Sequence, residues 1–146
     1  MSKLSKKFEV LDITTADIAI SAYGKELEEL FKNAAIGMIS LITDIENVEK
    51  KIKKEINMEA YDLESLMFNW LNELLFYFDA YFLIFSDFKI NIEKSENEKI
   101  ILHAICHGDK ISKRNYQIKE HIKAATYHEL KIEKNDVWKA NIIFDI

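Results

Sequence analysis

The stretch DLESLMFNWLNELLFY, residues 62–77, carries the strongest periodic pattern in the chain. Its apolar residues recur at the spacing of one helix face: Leu63, Leu66, Met67, Trp70, Leu71, Leu74 and Leu75. Asp62 precedes them and belongs to the residue types that cap helix N-termini. The pattern predicts a helix over about Asp62 to Tyr77, and its apolar face needs a sheet or a helix to cover it.

A second helix is predicted upstream, over about Lys25 to Thr43, where Gly24 ends the preceding segment. Its apolar residues keep the same helical spacing: Leu27, Leu30, Phe31, Ala34, Ala35, Met38 and Ile42. Two amphipathic helices of this length require a shared apolar surface to pack against.

The remaining apolar segments alternate or cluster as strands do. They are Phe8–Ile13, Ala16–Tyr23, Val48–Met58, Phe85–Glu93, Ile100–Cys106, Ile122–Ile132 and Val137–Phe144. Hairpin loops are predicted at residues 95–98 and 134–136, and a longer polar loop at residues 108–117. A turn is predicted after the second helix, at the aromatic residues 77–82. The prediction is one α+β domain over residues 1–146, a mainly antiparallel sheet of about six or seven strands with two long helices packed on it.

Composition narrows the classes of function. The chain has 20 basic and 25 acidic residues and a net charge of −5, which disfavours autonomous binding to phosphate backbones. A single cysteine, Cys106, cannot form an internal disulfide, and the first residues lack the apolar stretch of a secretory signal. The most apolar window, Leu74 to Phe85, is too short to span a bilayer. We expect a cytoplasmic protein with no membrane segment.

Several kinds of catalytic or metal site are disfavoured by spacing. The four histidines lack the close pairing of zinc sites, and the three glycines are too scattered to form a phosphate-binding loop. Cys106 lies among apolar residues, where a lone cysteine is usually buried and inert. Glu64 and Glu73 are better explained as part of a solvated helix face than as a catalytic pair.

Two aspartates differ from the other acidic residues. Asp17 lies on the face of its predicted strand opposite Ile18 and Ile20, and Asp145 directly follows the apolar strand end. From spacing alone, each is better explained as an ordinary exposed carboxylate than as part of a joint metal site. If the two strands paired, both aspartates, a backbone carbonyl and the terminal carboxylate of Ile146 would converge. Such hard oxygen donors suit Ca²⁺, Mg²⁺ or Mn²⁺, and not zinc or copper.

Six blocks of the sequence resemble the archease family. They are LDITTADI at residues 11–18, AYGKELEELF at 22–31, WLNELL at 70–75, IKAATYH at 122–128, WKA at 138–140 and FDI at 144–146. They occur in the family's order and span nearly the whole chain. One departure is Thr14, which stands where many archeases have the histidine of a His-Thr-Ala-Asp block, while Asp17 is retained.

The resemblance implies a non-enzymatic accessory protein of an RtcB-type RNA ligase. That ligase joins an RNA 3′-phosphate to a 5′-hydroxyl in tRNA splicing or RNA repair, and archeases promote its guanylylation and turnover. The resemblance further implies that Asp17, Asp145 and Ile146 bind a divalent metal, Ca²⁺ or else Mg²⁺ or Mn²⁺ in the cell. Lys123 and His128 are the weaker candidates for contact with the ligase, which would hold the RNA.

Two other functions stay open at this point. One is a general protein-binding or chaperone-like module, which would need an exposed apolar patch. The other is a small hydrolase using Asp17 and His128, which lacks an identifiable nucleophile with a base and an orienting residue. The metal itself has two possible roles: it pins the C-terminal segment against the first strands, or it is delivered to the ligase.

Overall fold

The computed structural model describes residues 6–112 and 116–146. These residues form eight strands and two α-helices: β1 (Phe8–Ile13), β2 (Asp17–Gly24), α1 (Leu27–Ile42), β3 (Ile52–Ala60), α2 (Leu63–Tyr81), β4 (Leu83–Lys94), β5 (Ile100–Lys110), β6 (Ala124–Ala125), β7 (Lys131–Lys134) and β8 (Trp138–Asp145). A short 3-10 turn, Ile45–Asn47, follows α1. Across the described residues, neither helix combines the length and apolar character required to cross a membrane.

The strands form two antiparallel sheets, and the predicted α+β class is confirmed. The larger sheet has the order β1-β2-β8-β6, with β7 also paired to β8, and the smaller sheet has the order β3-β5-β4. We expected about six or seven strands in one sheet. Strand patterns report which segments are extended, but they do not report which edges pair, so the division into two sheets was not predictable from them.

Helix α2 begins where its cap residue predicts and ends later than expected. Asp62 Oδ1 accepts a hydrogen bond of 2.7 Å from the Ser65 amide. The predicted aromatic turn over residues 77–82 is wrong, because the helix continues to Tyr81 and ends at Phe82, whose φ of 56° is left-handed. Tyr77 and Phe78 still pack against the core, which explains why the helix persists past the predicted boundary.

The predicted strand Ile122–Ile132 is wrong as one element. It is divided into β6 and β7 by a turn at residues 128–129, where Glu129 has a φ of 53°. Both pieces nevertheless pair with β8: Ala125 lies opposite Phe144, and Lys131 lies opposite Asn141. The left-handed Glu129 therefore interrupts the extended segment, and both pieces remain paired with β8.

One hydrophobic cluster joins both helices and both sheets. Trp70 of α2 is fully buried within it and meets the Phe88 ring edge-on, with ring centroids 5.8 Å apart. Its indole Nε1 donates a 3.0 Å hydrogen bond to the Phe31 carbonyl of α1, so the polar atom of this large ring is satisfied. Helix α1 contacts β2 of one sheet and β4 of the other, and thereby holds the sheets together.

Candidate metal site

The pairing of β2 with β8 places Asp17 directly opposite Asp145. Residues that lie opposite one another in an antiparallel pair share a face, with Cβ atoms about 4.5–5.5 Å apart. The next pair, Ile18 and Phe144, points to the other face and is buried at 2% and 0% exposure. The two carboxylates therefore share the face that points away from the core, at the first residue of β2 and the last of β8.

Main-chain hydrogen bonds bring two further predicted site residues to this pair. The Ile146 amide donates to the Ala16 carbonyl at 3.0 Å, and the Lys123 amide donates to the Asp145 carbonyl at 2.8 Å. The Lys123 side chain is exposed. His128 is also exposed, but it lies in the turn between β6 and β7, farther along the sheet. The structure thus places Asp17, Asp145, Ile146 and the Lys123 backbone together, and His128 apart.

Thr14 orients Asp17, a role that the sequence analysis missed. Its hydroxyl oxygen accepts hydrogen bonds from the amides of Ala16, at 3.1 Å, and Asp17, at 3.0 Å. The same hydroxyl donates to Asp17 Oδ1 at 3.1 Å, and the Thr14 amide donates to the Asp17 carbonyl at 2.8 Å. Threonine hydroxyls commonly form such local turns, so the spacing of Thr14 and Asp17 was an available signal.

Asn72 of α2 holds β6 beside Asp145, and this role was also missed. The Asn72 side chain donates to the Ala125 carbonyl at 3.1 Å and accepts from the Ala125 amide at 3.0 Å. Because β6 contains only two residues, this contact from the helix supports a strand that has few bonds of its own. The available signal was weak: a polar residue at the border of the apolar helical stripe, directly after Leu71.

The donor atoms at this site fit a hard divalent cation. Two carboxylates and nearby main-chain oxygens are the ligand types that Ca²⁺, Mg²⁺ and Mn²⁺ accept. Within residues 6–112 and 116–146, no three His, Cys, Asp or Glu side chains group as a metal site. Main-chain oxygens and water would therefore have to complete the coordination of Asp17 and Asp145. Like charges at opposed strand positions repel one another, and a cation between them would relieve that repulsion.

A groove of about 560 Å³ continues from the aspartates along the same sheet. Ala19 and Ile143, the next opposed pair on that face, line it together with Leu11, Glu129 and Leu130. The groove offers a mixed apolar and charged surface directly beside the carboxylate pair.

The Archease protein family (MTH1598/TM1083) model matches residues 8–146. The chain belongs to the archease family. It is similar to the archease of Pyrococcus abyssi, with 43% identity over 134 residues that cover 90% of this chain and 94% of that protein. The archease of Methanosarcina barkeri is 39% identical over 147 residues, which cover 100% of both chains.

The fold of this archease also matches a solved structure. The solution structure of Methanobacterium thermoautotrophicum protein 1598 superimposes with a TM-score of 0.84 and 35% identity, covering 96% of this chain and 99% of that one. The predicted family and the predicted fold class are therefore confirmed. The metal ligands Asp17, Asp145 and Ile146, and the partner contacts Lys123 and His128, stay predictions.

Proposed function

We propose that this archease is a non-enzymatic, cation-binding activator of an RtcB-type RNA ligase. The ligase joins an RNA 3′-phosphate to a 5′-hydroxyl in tRNA splicing or RNA repair, and the archease promotes its guanylylation and turnover. One observation carries the proposal: the register of β2 and β8 opposes Asp17 to Asp145, beside Ile146. Membership of the archease family supports it.

Asp17, Asp145 and a main-chain oxygen of Ile146 would hold the cation. A bound Ca²⁺, Mg²⁺ or Mn²⁺ supplies positive charge that offsets the two opposed carboxylates. The protein's own residues prepare the site: Thr14 orients the Asp17 carboxylate, and the contact of Asn72 with Ala125 holds the strand that flanks Asp145. These two contacts would prepare the site equally whether the ion stays with the archease or moves to the ligase.

Docking to the ligase is the proposed role of the surface around this pair. Lys123 and His128 are both exposed, and the Lys123 amide bonds the Asp145 carbonyl. The net charge of −5 complements the basic cleft expected of an enzyme that binds RNA, and such complementarity accelerates encounter. Stimulation of the ligase should therefore weaken as salt is added.

The test is multiple-turnover RNA ligation by the partner ligase with and without the archease. We expect stimulation by the wild type, and loss of stimulation with Asp17→Asn and with Asp145→Asn. The matched control is Asp136→Asn, which removes the same charge from an exposed residue in the loop before β8 and should stimulate normally. Full stimulation by both site variants would overturn the metal site, and no stimulation by folded wild type with any divalent cation would overturn the ligase assignment.

A second function, a general protein-binding or chaperone-like module, is favoured by one observation. Strand β1 lies at one end of its sheet, and its Val10, Leu11 and Ile13 side chains are 43%, 53% and 61% exposed. Exposed apolar edge strands recruit other chains. This function predicts that the archease suppresses aggregation of unrelated unfolded proteins and that Leu11→Ser with Ile13→Ser removes the effect. Ligase activation without such suppression would exclude it.

A further inference from the structure

A second groove, of about 490 Å³, lies at the C-terminal end of α2, between that helix and the smaller sheet. It shares no lining residue with the groove beside the aspartates. Its walls include aromatic rings from α2, Phe76, Tyr77 and Tyr81, and the side chains of Lys54 and Lys110. Its volume is within the range of about 300–1,000 Å³ that is usual for small-ligand sites.

The aromatic rings of this groove remain accessible to solvent. Phe76 and Tyr81 are 52% and 54% exposed, and their rings meet edge to face with centroids 5.8 Å apart. Tyr77 contacts both rings and is more deeply buried, so it supports them from beneath. The two half-exposed rings lie at 84° to one another, so each offers its own face on which a planar base can stack.

The residue that follows Tyr81 is a third exposed aromatic in an unfavourable backbone conformation. Phe82 has a left-handed φ of 56° at the helix C-cap, where glycine is the usual residue. A residue with a side chain costs roughly 1 kcal/mol or more in this conformation. The Phe82 side chain is 64% exposed, so burial does not offset that cost. Local packing alone therefore does not explain an aromatic side chain at this position.

The two lysines give the groove its charge. Lys54 and Lys110 are both exposed, and within the described part of the chain neither ammonium group forms an ion pair. The acidic residues on this part of α2 are Glu73 and Asp79, and Asp79 lies 3.8 Å from the imidazole of His121. Uncompensated cations beside exposed aromatic rings are the combination that binds the phosphates and bases of a single strand.

We propose that this groove binds single-stranded RNA, with bases stacked on Phe76 and Tyr81 and phosphates held by Lys54 and Lys110. The choice of RNA rests on the proposed function, and it departs from the sequence-based expectation that the ligase holds the RNA. Because the chain is acidic overall, the isolated protein binds weakly and through stacking more than through charge. Two phosphate contacts on a single strand give a slope of about −1.4 for log affinity against log salt.

The test measures fluorescence anisotropy of a labelled oligoadenylate of about eight nucleotides, a length within the usual site size. The isolated full chain is used in chelator, without the ligase. Phe76→Ala and Tyr81→Ala should each weaken binding at least about fivefold, as loss of a stacking contact does. Lys54→Ala with Lys110→Ala should weaken binding and bring the salt slope close to zero. Circular dichroism checks that every variant folds.

Matched controls lie on the protein surface outside the groove. Tyr61→Ala removes an aromatic ring that is 70% exposed outside the groove. Lys53→Ala with Lys89→Ala removes the same charge from the opposite face of the smaller sheet. Both should leave affinity unchanged.

Absence of binding by the folded wild type at a protein concentration of ~1 mM would overturn the proposal and leave the groove to a protein partner. A dissociation constant of ~1 mM corresponds to a binding free energy of only about −4 kcal/mol. The proposal would also be overturned if the groove variants bound the oligonucleotide as tightly as the control variants. Lys54 and Lys110 would then serve to offset the negative C-terminal end of the α2 dipole. Because neither ligase nor divalent cation is present, failure here leaves ligase activation intact, and failure of the ligation assay leaves this result intact.

Discussion

Asp17 lies directly opposite Asp145 across the antiparallel pair of β2 and β8, although most of the chain separates them in sequence. The core enforces this arrangement, because Ile18 and Phe144 form the next opposed pair and are buried on the other face. A slip of one residue would move these apolar side chains to solvent, so the register is strongly specified. Burial on one face therefore imposes a carboxylate pair on the other.

Thr14→Val should lower the cation affinity of the site. Valine keeps the shape of threonine but removes the hydroxyl that bonds Asp17 Oδ1 and accepts from two amides. The change should also reduce the free energy of unfolding by about 1 kcal/mol. Calcium titration calorimetry measures the affinity, with Thr15→Val, a neighbouring exposed residue, as the control. Equal affinities of the two variants would refute the role of Thr14.

Asn72→Ala should loosen β6 from α2. The backbone N–H and C=O of buried Ala125 lose their hydrogen bonds to Asn72, a change worth about 1–3 kcal/mol of unfolding free energy. Hydrogen exchange at the Ala125 amide should accelerate. The control is Asn69→Ala, which alters an exposed residue of the same helix and should leave that amide protected. Unchanged protection in the Asn72 variant would contradict the assignment.

Tyr23→Phe should flatten the alkaline loss of stability. The pKa of Tyr23 is raised from 10.0 to about 12, chiefly by burial and secondly by the hydrogen bond that the phenol donates to Glu9. A raised pKa in the folded state means that the neutral phenol stabilises the fold below pH 10, and that this contribution is lost as the pH rises toward 12. Urea unfolding across that range tests it. The control Tyr61→Phe alters an exposed tyrosine and should show the pH dependence of the wild type. A Tyr23→Phe variant with the pH dependence of the wild type would contradict the account.

Sequence patterns predicted the elements better than their connections. The Asp62 cap and the apolar stripe that begins at Leu63 located the start of α2 correctly, because both are local features of the sequence at the helix N-terminus. The end of α2 and the division of residues 122–132 were missed, since each depends on a left-handed residue, Phe82 or Glu129, at which no glycine marks the turn.

The candidate site shows the same limit. Sequence reasoning placed Asp17 in a strand and Asp145 directly after one, and selected both as candidate ligands, but their direct opposition depends on a register that the core determines. The side chains of Thr14 and Asn72 can form these hydrogen bonds, but the residue types alone do not predict them. The bonds depend on the turn before β2 and on the position of the short strand β6.

The most direct measurement of the central claim is the unfolding free energy of wild type, Asp17→Asn, Asp145→Asn and the control Asp136→Asn in chelator and in Ca²⁺. In chelator, the two variants should be at least as stable as the wild type, because removing one of two opposed like charges relieves about 0.2–1 kcal/mol. In Ca²⁺ at a hundred times its dissociation constant, the wild type and Asp136→Asn should gain about 2.7 kcal/mol, and the two site variants should gain nothing. Equal stabilisation of all four proteins by Ca²⁺, or none of the wild type by Ca²⁺, Mg²⁺ or Mn²⁺, would contradict a cation site at Asp17 and Asp145.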